Sequence, residues 1–262
     1  MADDPIDKAR AAVTERVELP GMTLMEHLEE LRKRLMGAVI SLFIGLGIAS
    51  PFYKQLINML QKPLTQNGLA MNMSHPTDAI ELIIKTTLVA GAILASPAIL
   101  YQLWLFIAPG LYANEKKYVF PFMGSTVGLF LGGAWFGYRW VLPDAIKILV
   151  LGFGKDFTHM ISIDEYTSFF LSLILGLGIC FELPILMFFV ALFGLVDHKF
   201  FLKQWRYAIL AVFLVAAFLC PDPSPVGMCL FASPLLLLYV VGVIAAYFVN
   251  PNRRKAKELT AA

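Results

Sequence analysis

A chain of 262 residues with 58% hydrophobic content and only 15% charged side chains, at a mean hydropathy of +0.71, lies outside the composition of soluble globular domains and reads as a polytopic membrane protein. Its formal net charge of +2 is small, and the basic residues sit in loops and tails. Without a continuous basic patch, nucleic acid is excluded as an expected partner.

Residues 1–35 open with the acidic MADDP and carry Lys8, Arg10, Arg16, Arg32, Lys33 and Arg34. No short apolar core ends there in a small-residue cleavage site, and the segment is not the Arg-rich, acid-poor kind that directs organellar import. Within it, MTLMEHLEELRKRL at 22–35 sets Leu24, Leu28, Leu31 and Leu35 at helical spacing, with Glu26, Glu29, Glu30, Arg32 and Lys33 elsewhere on the wheel. This pattern predicts an amphipathic helix at the membrane interface before the first span. Its charged face is either a site or a solvated surface held by local Glu–Arg pairs.

Six apolar stretches follow, at about Met36–Tyr53, Ile83–Pro109, Tyr118–Leu142, Tyr166–Leu195, Tyr207–Leu219 and Val226–Val249. Crossing ~30 Å of hydrocarbon takes about 20 helical residues, so the expectation is an all-α integral membrane protein of six spans. The fifth, at ~1.5 Å per residue, covers only about 20 Å, and must borrow flanking residues or sit in thinned bilayer. The domain organisation is then a tail with its interfacial helix at 1–35, a six-helix membrane domain at 36–249 and a basic tail at 250–262. Placing both termini in the cytoplasm puts fifteen Lys and Arg inside against five outside. That is the positive-inside orientation, and it sets Glu30 and Glu115 on one side of the membrane.

Four features within the spans stand out. In the second, Pro97 interrupts the apolar run, while Tyr101, Gln102 and Trp104 are expected to be buried among aliphatics. The proline removes a helix hydrogen bond and the amide needs a partner, so each is tolerated mainly where a neighbouring helix or water supplies one. This span leaves the membrane at Ala108-Pro109-Gly110 and exposes Glu115 beside Lys116 and Lys117. In the third, Gly124, Gly128 and Gly132 form a ridge, with Gly133 and Gly137 a second pair, that lets another helix approach. Trp135, Trp140, Trp205 and Tyr118 fall near span ends, where amphipathic rings favour the interface. In the fourth, Glu182 lies about thirteen residues from the inner end, near the midplane. A carboxyl there is expected to be protonated, partnered or turned to a wet groove, and is either a functional group or a structural pin bonded to Gln102 or a hydroxyl.

Cys180, Cys220 and Cys229 are odd in number and show no metal-ligand spacing, and His27, His75, His159 and His198 fall in four different loops or tails. No zinc-protease, nucleophile-elbow, phosphate-loop or dinucleotide signature occurs, so no enzyme, metal or cofactor is expected.

Five segments in order resemble the TatC family, the six-span core subunits of the twin-arginine protein translocase, over roughly 22–248. They are HLEELRKRL at 27–35, Lys62-Pro63-Leu64, Pro76-Thr77-Asp78, SPAILYQLWLFIAPGLY at 96–112 with Glu115-Lys116-Lys117, and FELP at 181–184. The resemblance implies a non-enzymatic receptor in the bacterial cytoplasmic (inner) membrane that binds the twin-arginine signal peptides of folded precursors and supports export driven by the proton-motive force. It implies that Glu30 and Glu115 receive the arginine pair, as suits carboxylates facing guanidinium forks. The signal's apolar segment would lie in a concave groove near Gln102, Phe106 and Glu182. Single-span subunits of the TatA/TatB type would pack against spans four to six, with self-association in a receptor complex. Pro63, Pro97 and Pro109 would serve structure and assembly, together with Asp222. In the third outer loop the family carries an aspartate where this chain has Ser224, so that role falls to Asp222, two residues earlier, or to no acid there. Two rival readings are a small proton-coupled transporter using Glu182, which would need inverted repeats the sequence does not show, and an inert assembly scaffold.

Overall fold

In lipid every peptide group must be satisfied within its own segment, which leaves the helix as the structure of long apolar runs. The computed structural model describes residues 24–107, 119–152, 160–192, 196, 198–219 and 225–249. Its elements are α1 (Leu24–Ala49), a 3-10 turn (Ser50–Phe52), α2 (Tyr53–Thr65), β1 (Met71–Asn72), α3 (Asp78–Ile107), α4 (Val119–Phe136), a π-helical turn (Gly137–Val141), α5 (Leu142–Ile146), a second π-helical turn (Lys147–Gly152), β2 (Ile161–Ser162), α6 (Ile163–Cys180), α7 (Leu183–Leu192), α8 (His198–Lys203), α9 (Trp205–Leu219) and α10 (Pro225–Val249). Among the described residues four helical stretches are long and apolar enough to cross a membrane: Met25–Thr65, Asp78–Phe106, Ile163–Leu192 and Gly227–Phe248. Trp205–Leu219 is apolar but shorter.

Several boundaries differ from expectation. The amphipathic segment and the first span form one helix, α1, with no break at 35/36. The helical run of the third span continues past Leu142 through α5 and the second π-helical turn to Gly152. The fourth is split at Phe181-Glu182 between α6 and α7. Pro184 explains the split, since it has no N–H for the Cys180 carbonyl and disfavours helical geometry in the residue before it. A two-residue parallel pairing, Met71 with Ile161 and Asn72 with Ser162, ties the segment before α3 to the start of α6. Two residues are too few to leave a strand pattern in sequence.

The helix packing is set by glycines. α1 lies along α3, and a Cβ on Gly45 would stand 2.3 Å from the Gly91 carbonyl oxygen, while one on Gly91 would stand 2.8 Å from the Leu46 backbone. α4 meets α6 in the same way, a Gly133 Cβ falling 2.8 Å from the Leu177 oxygen and 2.7 Å from the Phe181 ring. The expected ridge of Gly124, Gly128 and Gly132 meets nothing within 4 Å. The close approach uses the other face of α4, where Gly133 and Gly137 point at α6.

Prolines inside helices are repaired locally. Pro51, Pro97 and Pro234 each leave the carbonyl four residues earlier without its usual N–H, and each is preceded by a serine that takes it. Ser50 Oγ donates to Gly47 O at 3.1 Å, Ser96 Oγ to Ile93 O at 2.7 Å and Ser233 Oγ to Leu230 O at 3.0 Å. Pro63, buried in α2, frees the Met59 carbonyl, and there a neighbouring element supplies the donor: Tyr138 Oη at 3.2 Å. Tyr166 Oη donates to the next carbonyl, Leu60 O, at 3.0 Å. Around these bonds Leu60, Leu64, Leu142, Leu173, Leu177 and Phe231 are fully buried. Asn67 Nδ2 closes the end of α2 on Pro63 O at 2.8 Å, and Gly68 at φ 69° turns the chain toward β1, a conformation that glycine adopts without penalty.

Candidate functional site

α3 organises three distinct places. At its start, Asp78 accepts hydrogen bonds from the backbone N–H of Ser74 at 2.7 Å and His75 at 3.0 Å. About two turns further on, Lys85 Nζ binds Asp164 at the start of α6 and Glu81 on its own helix at 3.3 Å. This cluster fastens α3 to α6. Gln102, seventeen residues beyond Lys85, lies about 25 Å away along the helix axis, at the end that faces the first turns of α1.

There Glu30 and Arg34 meet as an i,i+4 pair. Arg34 Nε donates to Glu30 Oε1 at 2.7 Å and Nη2 lies 2.6 Å from the same oxygen. Nη1 reaches Gln102 Oε1 on α3 at a long 3.5 Å. Gln102 can lie across α1 because residue 37 is glycine: a Cβ there would stand 2.9 Å from the amide carbon. Phe106, one turn on, packs its ring on His27 at 4.7 Å between centroids and 31° between planes. Arg34, Gln102 and Phe106, with Leu31, Leu35 and Ile99, line a small hollow of about 170 Å³. The charged face of α1 is thus held by a local Glu–Arg pair and joined to α3 by an amide.

The third place is an apolar groove of about 660 Å³ between α3, α4, α6 and α7, lined by residues including Ser96, Leu103, Trp104, Thr126, Ile179 and Glu182. Trp104 and Phe189 meet in its wall at 4.5 Å with rings tilted by 57°, and behind them Phe122 contacts Phe188 and Phe189 at 4.9 and 4.8 Å. The hydroxyls are already engaged. Ser96 serves Ile93 O, while Thr126 Oγ1 accepts from Trp104 Nε1 at 3.2 Å and donates to Phe122 O at 3.0 Å. Glu182 sits at the α6/α7 break, where its own N–H reaches Ile179 O at 3.0 Å. Its Oε1 is buried and has no hydrogen-bond partner among the described residues.

Two expectations change on this geometry. Gln102 and Phe106 do not share a cavity with Glu182; Ile99 and Leu103 line both hollows and separate them. The pin between Glu182 and Gln102 is not made, because the amide oxygen turns to Arg34. In the same helix Trp104 is buried as expected, whereas Tyr101 is 42% exposed. Pro97 lies on an exposed face. Glu115, Pro109, Asp222 and Ser224 lie outside the described residues, as do 1–23 and 250–262. Residue spacing had not singled out Arg34 or Gly37. The signal was present, since ELRKR puts an arginine four residues after Glu30, the spacing at which helical side chains meet.

Comparison with known proteins gives a consistent result. A family model described as Sec-independent protein translocase protein (TatC) matches residues 26–234. A protein of that name from Koribacter versatilis (strain Ellin345) is 43% identical over 265 aligned residues, covering 98% of this chain and 97% of the relative. Another, from Aquifex aeolicus (strain VF5), is 38% identical over 242, covering 91% and 99%. The crystal structure of the twin arginine translocase receptor TatC matches with a TM-score of 0.78 at 37% identity, over 85% of this chain and 99% of that one.

Proposed function

The chain belongs to the TatC family, and from that membership we propose that it is the receptor component of a twin-arginine protein translocase. It is a multi-pass transport protein and not an enzyme, which replaces the small-transporter reading. In this proposal six spans cross the bacterial cytoplasmic membrane with both termini in the cytoplasm. Glu30 and Glu115 receive the two arginines of a signal peptide on that side. The signal's apolar segment then follows α3 from the Gln102–Phe106 hollow into the Glu182 groove, and single-span subunits of the TatA/TatB type associate around spans four to six. Transport draws on the proton-motive force, which offers ~2.3 kcal/mol per charge per 100 mV.

The observation that carries this reading is the Glu30 carboxylate on α1, which holds a guanidinium fork with both contacts under 3 Å. A carboxylate that accepts paired N–H donors from arginine accepts an ammonium less well, because lysine offers a single point charge. The test is photo-cross-linking in membranes, with a probe beside Glu115 and precursors whose signals carry two arginines or two lysines. Labelling that depends on arginine supports the assignment. Equal labelling of both signals by correctly inserted protein removes it.

A further inference from the structure

Resting on the receptor reading above, we propose that Arg34 is an internal ligand of Glu30, occupying the carboxylate until a signal arginine displaces it and so setting the affinity threshold for docking. Arg34 presents Nε and Nη2 together to Oε1, at 2.7 and 2.6 Å, which is the contact an incoming arginine would make. The side chains are only 23% and 19% exposed, so the pair is shielded from the solvent that weakens most surface ion pairs. A second anchor holds the guanidinium in place, since Nη1 points at Gln102 Oε1 from a different helix. A signal guanidinium brought to the same Oε1 meets a like charge at contact distance, so taking that oxygen requires Arg34 to swing away. Arg32 and Lys33, the two residues before it, are exposed.

Competition of this kind has a definite signature. If Arg34 closes the site in most molecules, the apparent dissociation constant of every signal rises by the same factor, the reciprocal of the open fraction. Arginine is then preferred over lysine by the geometry of Glu30 alone, while Arg34 decides whether the weaker lysine signal binds detectably at all. A residue that merely positioned Glu30 would act in the opposite direction, and its removal would loosen binding.

The experiment measures binding of a fluorescent twin-arginine signal peptide, and of its two-lysine counterpart, to the full-length protein in lipid nanodiscs. Arg34→Gln is expected to tighten both peptides by the same factor, about three- to tenfold for a partly shielded pair, leaving the arginine-to-lysine ratio unchanged. Arg34→Lys, which keeps the charge but not the fork, is expected to fall between wild type and Arg34→Gln. Lys33→Gln removes the same charge one residue away and is expected to change little. Unchanged or weakened binding in Arg34→Gln, or an equal gain in Lys33→Gln, overturns the proposal. Glu30→Gln separates this from the reading beneath it. If that variant weakens arginine-signal binding while Arg34→Gln brings no gain, only the internal ligand is wrong. If Glu30→Gln binds like wild type, the receptor site itself is misassigned.

Discussion

Glu30 and Glu182 are both acids in apolar surroundings, yet one is held by a neighbour while the other has a buried oxygen without a partner among the described residues. Glu30 sits on α1 with a guanidinium on one oxygen and an amide behind it. Glu182 sits at the α6/α7 break with a buried oxygen that nothing among the described residues satisfies. A paired carboxylate near the end of a helix can exchange one cation for another at little net cost, because each state is compensated. An unpartnered carboxyl inside a groove is costly in the isolated chain and gains most from a donor brought by another molecule. In the proposed receptor the difference suits the two acids to different events: exchange of an arginine at Glu30, and acquisition of a partner at Glu182.

The largest expected effect breaks the first region through its scaffold. Arg34 and Gln102 meet only because α1 and α3 cross at Gly45 and Gly91, and the 2.3 Å clash of a Gly45 Cβ is with backbone, which cannot rotate away. Gly45→Ala should therefore destabilise the protein by about 3 kcal/mol, at the upper end for overpacking, as read by thermal unfolding in detergent. The Glu182 groove is lined by α3, α4, α6 and α7, with α4 set against α6 at Gly133, so proteolysis of Gly45→Ala should release α1 while the α4 to α7 portion stays protected.

Next in size is the charge itself. Glu30→Gln keeps shape and removes a charge-assisted bond, so twin-arginine peptide binding should weaken by about 2 kcal/mol, or roughly 30-fold. Thermal stability should change by less than about 1 kcal/mol, because a single i,i+4 pair contributes little to folding even when partly shielded. If the loss appeared as unfolding instead, Glu30 would be a structural residue and the contrast with Glu182 would collapse.

Glu182→Leu should do the reverse. Removing an unsatisfied buried oxygen from an apolar groove should raise thermal stability by about 1–2 kcal/mol, while partner association in membranes, followed by co-purification, is lost. Stability gained together with association retained would make Glu182 a tolerated defect rather than a contact.

These residues also show how far sequence alone reaches. Apolar runs fixed the helices because lipid leaves no other structure for them, and the order of HLEELRKRL, SPAILYQLWLFIAPGLY and FELP was enough to indicate the family. The serine before each of three helix prolines is equally local: its hydroxyl lies within reach of the carbonyl the proline frees, so the dipeptide itself announces the repair. What could not be read depends on the angle at which helices meet. Gln102 could have turned to Glu182 or to Arg34, and only the α1–α3 crossing decides. Pro184 was visible, but not that the break would fall at Phe181-Glu182 and set the acid at the end of a helix. The short β1–β2 pairing joins segments about ninety residues apart and has no periodicity to betray it.

The smallest expected effect tests the glycines that sequence favoured and packing passed over. Gly124, Gly128 and Gly132 share a face of α4, and Gly128 has open space where a Cβ would go. Gly128→Ala should therefore be accommodated without any neighbour moving, and should stabilise the helix by about 0.5–1 kcal/mol through reduced backbone freedom in the unfolded chain. Gly133→Ala, five residues on but facing α6, should destabilise by about 1–3 kcal/mol, so opposite signs within one helix would show that spacing alone does not make an interface. If Gly128→Ala stabilised the isolated protein yet reduced its assembly with a second copy or with single-span subunits, the ridge would be a contact surface completed only in the complex. That result would give α4 the relation to a partner that is proposed for Glu182: a surface left unsatisfied in the single chain and covered by another molecule.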